Sequence, residues 1–101
     1  GYDHCYVIRN SDAKKPVLAA KIRDPKSGRV MEITTTEPGI QLYTGNYLDG
    51  GDINGGVKQH HAFCLETQHY PDSPNQPKFP TTTLKAGDTF HSVTSHKFSV
   101  E

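Results

Sequence analysis

The stretch VLAAKIRDPKSGRVMEITTTE, residues 17 to 37, reads as two β-rich runs around a turn. Apolar and β-branched residues dominate 17–24 and 29–37, and Pro25 and Gly28 interrupt them at 25–28. That combination is the chemistry of a β-hairpin. Side chains on a strand alternate between faces, so Val30, Glu32 and Thr34 share one side and Met31, Ile33 and Thr35 the other. The Met31/Ile33 side is the expected inward face.

The same pattern continues outward from this hairpin. DHCYVI (3–8) is a short strand, followed by the polar break RNSDAKKP (9–16). After the Pro38–Gly39 punctuation, IQLYTG (40–45) is a strand with Gln41 and Tyr43 on one face. Five of the nine glycines fall between Gly45 and Gly56, which is loop composition. HHAFCLETQ (60–68) is the next strand, and four prolines crowd residues 71–80. A turn at KAGD leads to TFHSVTSHKFSV (89–100), read as one long strand with Phe90, Ser92, Thr94, His96, Phe98 and Val100 on one face. No run shows helical spacing, and no internal repeat is present. The expected fold class is all-β with antiparallel sheets.

At 101 residues the chain is one domain at most, and 33% hydrophobic content is lean for a self-contained core. It begins at Gly1 rather than Met, as a processed product, an expressed segment or part of a longer reading frame would. Eleven basic and eleven acidic residues cancel, with no block of like charge, so no nucleic-acid footprint is present. There is no transmembrane run and no signal-peptide pattern, so a membrane is not an expected partner. Cys5 and Cys64 each sit in an apolar strand-like run and are expected to be buried free thiols. A soluble, cytoplasmic protein is the expectation.

Glu66, in AFCLETQ, is the first candidate for chemistry. Alternation puts it on a face with Cys64 and Gln68, while Phe63, Leu65 and Thr67 point the other way. A carboxylate there either lines a pocket wall or lies on a solvated strand face. A buried one would need a partner. Asp3, at a strand end, can accept hydroxyl donors or cap a turn. Gln41 offers both a donor and an acceptor, for a ligand or for water. The adjacent His60 and His61 face opposite ways on a strand and do not suit one metal ion, and Cys5 with His4 lacks ligand spacing. No serine occupies a G-x-S-x-G elbow. GGDINGG lacks the lysine and the strand–loop–helix setting of a phosphate cradle.

Two blocks, TTEPGIQLYTGNYLDG (35–50) and FCLETQHYPDSPNQPKFP (63–80), closely resemble the aldose 1-epimerase (galactose mutarotase) family. The opening YDHCYVI resembles that family's Asp-His strand, and TTTLKAGDTFHSVTSHKFS its closing turn and last strand. The resemblance covers essentially the whole chain. It implies an all-β, galactose mutarotase-like supersandwich and interconversion of the α- and β-anomers of free hexoses such as galactose and glucose. By matching motifs, it implies that Glu66 is the catalytic base and that Asp3 and Gln41 hold sugar hydroxyls. No cofactor is implied, since the chemistry moves only protons. Ala62 departs from a glycine common before FCLE, and the loop 50–56 is short.

The resemblance is to the C-terminal third of the family. It places the general-acid histidine in an upstream Asn-His motif that none of the six histidines here matches. Residues 1–101 are thus expected to be a single segment that carries the base and two sugar contacts without the acid. Two further readings follow. One is a non-catalytic sugar-binding module on the same architecture. The other is a short, inactive product that folds by self-association or by pairing with a missing N-terminal segment.

Overall fold

A computed structural model describes residues 1–101. Six strands form in chain order: β1 (Asp3–Val7), β2 (Val17–Arg23), β3 (Arg29–Thr35), β4 (Gly39–Tyr43), β5 (Cys64–Gln68) and β6 (Thr94–Val100). Two single turns of 3-10 helix, Asp52–Asn54 and Ser73–Asn75, punctuate the loops. No helix is long and apolar enough to cross a membrane.

The 17–37 hairpin is present as β2 and β3. Its turn is anchored by Asp24, whose carboxylate accepts from Ser27 Oγ at 2.6 Å and from the Lys26 and Ser27 backbone N–H groups. The Ser27 hydroxyl and the Lys26 amide hold that carboxyl below its ordinary pKa. Gly28 closes the turn at φ +70°, where a side chain would be strained. A bulge between Leu18 and Ala20 shifts the β2–β3 register.

Two antiparallel three-stranded sheets result, one ordered β1-β4-β5 and the other β2-β3-β6. The chain crosses between them three times, between Val7 and Val17, at Thr36–Pro38, and between Gln68 and Thr94. Ile8, Ile33 and Ile40 make the buried core, flanked by Val17, Ala20, Ile22, Met31 and Leu65. Hydroxyls tie the sheets together: Thr94 Oγ1 lies 2.8 Å from Thr35 Oγ1 and 2.9 Å from Thr67 Oγ1. Ile33 and Thr35 are fully enclosed, as alternation implied. Val30, on the opposite face of β3, is buried as well, so β3 is not covered on one side only.

Two strands are shorter than the sequence suggested. β5 starts at Cys64 rather than at His60, because His60 turns the chain at φ +62°, donating its N–H to Gly45 O. β6 starts at Thr94 rather than at Thr89, so Phe90 and Ser92 lie in the approach to the strand, where Val93 bonds Thr36.

The lean composition shows in the packing. Only 11 of 101 residues are buried, and β6 is exposed along its whole length. The radius of gyration, 16.1 Å, exceeds the roughly 13 Å usual for a domain of this size. With so few core residues, Ile33→Ala in the protein that carries this chain is expected to cost about 2–5 kcal/mol. Urea denaturation measures it; a loss under about 1 kcal/mol would mean that this cluster is not the core.

Candidate functional site

Antiparallel partners directly opposite each other point to the same side of a sheet. In the β1-β4-β5 sheet the register sets three rows across the strands: Asp3–Tyr43–Cys64, Cys5–Gln41–Glu66 and Val7–Gly39–Gln68. All nine residues therefore share one face. The opposite face, with Tyr6, Ile40, Leu42 and Leu65, turns toward the core. The period of two separates a polar outer face from an apolar inner one on the same strands.

An open cavity of about 490 Å³ lies on the outer face, lined by Asp3, Gln41, Tyr43, Tyr47, Glu66, Gln68 and Pro71. All three candidates singled out from sequence are in it. Glu66 stands directly opposite Gln41 and is exposed. It is therefore not a carboxylate buried in the core. The two sequence readings, pocket wall and solvated face, turn out to describe one position, because the cavity is open to water.

Gln41 and Asp3 form a fixed pair, with Gln41 Nε2 donating to Asp3 Oδ1 at 2.8 Å. An ionised carboxylate only accepts, so this contact sets the amide with its NH₂ toward Asp3. The other end, Gln41 Oε1, is a buried acceptor without a partner. Such atoms are rare, and a ligand hydroxyl is a suitable donor.

Beside the cavity, packing depends on a missing side chain. A Cβ on Gly39 would lie 2.9 Å from Cys5 Sγ and 3.0 Å from Tyr70 Cδ1. Tyr70 itself meets Phe79 edge-on, with ring centres 5.2 Å apart. Tyr47, on the loop after β4, forms the rim and donates its N–H to Tyr43 Oη at 3.3 Å.

Sequence reasoning grouped Tyr43 with Gln41, and Gln68 with Glu66, but did not assign either to a site. Alternation held that signal. Nothing local marked Tyr47 or Pro71, which reach the cavity from loops. The histidines do not: His60 Nδ1 engages Thr44 O, and His69 Nδ1 lies 2.8 Å from Glu37 Oε2. No group of three or more His, Cys, Asp or Glu side chains could hold a metal ion.

Both cysteines are free, but neither is buried as expected: Cys5 is half-buried, and Cys64 is exposed at the start of β5. Its row runs along the outer face, not through the core. Burial pushes the Cys5 thiol up, partly offset by the Gln68 amide.

The chain belongs to the aldose 1-epimerase family, whose family model matches residues 1–97. It is 46% identical to galactose mutarotase of Bos taurus and 47% identical to that of Mus musculus, each over 103 residues. Both alignments cover 99% of this chain and 30% of the relative. Aldose 1-epimerase of Escherichia coli (strain K12) is 33% identical, over 100% of this chain and 30% of that protein. The chain thus spans about 30% of the length of the curated relatives it matches.

Two outcomes follow from the geometry. Gly39→Ala is expected to destabilise the fold by about 1–3 kcal/mol through overpacking, read as a lowered urea midpoint. At pH 8, iodoacetamide is expected to modify Cys64 well before Cys5, because the thiolate reacts and Cys5 is held protonated and shielded. Peptide mass mapping over time gives the order, and equal rates would contradict the burial of Cys5.

Proposed function

We propose that this chain supplies the base and two hydroxyl contacts of an aldose 1-epimerase that interconverts the α- and β-anomers of free hexoses, galactose among them. Family membership supports the reaction class. The observation that carries the reading to these residues is the grouping of Glu66, Gln41 and Asp3 in one open polar cavity, with Gln41 Oε1 lacking a donor.

In this reading Asp3 and Gln41 orient the sugar. Asp3 accepts from a hydroxyl, and Gln41 Oε1 accepts from another. Glu66, ionised and within reach of water, takes the proton from the anomeric O1–H as the bond from C1 to the ring oxygen breaks. The ring oxygen is protonated at the same time and the open aldehyde forms. Rotation about C1–C2 presents the other carbonyl face, and the protons return on closure. Each transfer needs a group within about 2.6–3.2 Å of the proton it moves. Every bond broken is remade, so the reaction requires no cofactor.

The donor to the ring oxygen is proposed to come from polypeptide beyond these residues. No histidine lines the cavity, and the relatives are more than three times as long as the part matched here. The absence of a cavity histidine also favours a second reading, a module that binds sugar without turning it over.

Polarimetry on freshly dissolved α-D-galactose separates the two, using the protein that carries this chain. Accelerated rotation, lowered about 10²–10⁴-fold by Glu66→Gln with sugar binding nearly intact, is the expected result. Saturable binding without acceleration would establish the second reading instead. Equal acceleration by the variant and the parent would remove Glu66 from the mechanism.

A further inference from the structure

The buried carboxylate of this fold is Glu37, at the crossing from β3 to β4. It is 8% exposed, and no step of the proposed reaction uses it. A carboxylate taken out of water is unfavourable unless it is paired or hydrogen-bonded. Glu37 is both. Its Oε2 lies 2.8 Å from His69 Nδ1, and its Oε1 accepts from Ser92 Oγ. Its own N–H donates to Thr35 Oγ1 at 3.1 Å. Beside it, Thr36 N donates to Val93 O, and Val93 N donates to Thr36 Oγ1, each at 3.0 Å. One side chain thus joins the β3–β4 crossing, the exit of β5 and the approach to β6.

The exit of β5 bears on the cavity. His69 follows Gln68, and alternation turns its side chain away from the cavity, toward Glu37. Gln68 before it and Pro71 after it both line the cavity. Between them, Tyr70 presses on Gly39, the residue paired with Gln68. Glu66 lies three residues upstream on the same short strand. A five-residue strand whose end is released would fray from β4 and displace Glu66 and Gln68 relative to Gln41.

We propose that Glu37, acting through His69, is a positioning residue that sets where β5 delivers Glu66 and Gln68 to the cavity. The inference rests on the mutarotase reading given above. It assigns to a side chain outside the cavity control over the chemical step rather than over sugar affinity. The Asp3–Gln41 pair, held on β1 and β4, does not run through His69.

The test is steady-state mutarotation by the protein that carries this chain, with rates referred to folded protein measured by circular dichroism and gel filtration. His69→Ala is expected to lower kcat on the order of 10–100-fold, the scale of a small misplacement of a reacting group. KM should move by less than about threefold, since substrate binding is left in place. His69→Asn, whose amide nitrogen falls near the position of Nδ1, should recover most of the rate. Glu37→Leu removes the buried charge together with its need for a partner, and covers the case in which His69→Ala does not fold. Unchanged kcat per folded molecule, with only a lowered melting temperature, would overturn the proposal. A loss that His69→Asn fails to recover would do so too, because it would not run through the Glu37 contact. If Glu66→Gln matches the parent, the mutarotase reading fails and takes this inference with it, a result distinct from failure at Glu37 alone.

Discussion

Everything in this chain depends on the seating of one sheet on the other through Ile8, Ile33 and Ile40. Burial of a few aliphatic side chains fixes which face of β1, β4 and β5 turns inward. The remaining face must then be the polar one. At about 25 cal/mol per Å² of apolar surface, three isoleucines and their half-buried neighbours form a modest core. The threonine hydroxyls of Thr35, Thr67 and Thr94 complete the contact where the two sheets meet. The polar cavity is a consequence of that packing. It is the outer surface of strands whose inner surface is occupied.

The hairpin, the antiparallel pairing and the all-β class were legible because period-two alternation and turn residues are local signals. The grouping of Asp3, Gln41 and Glu66 was legible only in part. Alternation gave each residue its face, but the register that brings β1, β4 and β5 side by side joins residues from about twenty to forty positions apart. Resemblance to a family, not pattern, tied those three together beforehand. The strand ends at His60 and Thr94 were misjudged for a physical reason. His60 adopts a left-handed backbone that β-propensity does not reveal, and the 89–93 run satisfies its backbone at Thr36 rather than in a full ladder.

Two glutamates sit in opposite surroundings. Glu66, which the sequence left between a pocket wall and a solvated face, is open to water. Glu37, in an unremarkable TTTEPG run, is enclosed and paired. Residues near a Pro-Gly turn look exposed in one dimension because turns are usually at the surface. Here the turn is a crossing between sheets, and the junction closes over it. Gln41 adds a further asymmetry. Its amide nitrogen is held by Asp3 while its oxygen has no partner in the fold.

Strand β4 turns Ile40 and Leu42 toward the core and brings Gln41 and Tyr43 to the cavity. A pairing slip of one residue would exchange these sets, sending a glutamine and a tyrosine into the interior and two aliphatics to the outer surface. A one-residue slip therefore costs the core as well as the cavity. Pro38, whose carbonyl takes the Ile8 N–H, and Gly39, which tolerates no Cβ beneath Tyr70, guard that alignment from the first residues of the strand. The parity of β4 thus serves the core and the cavity together.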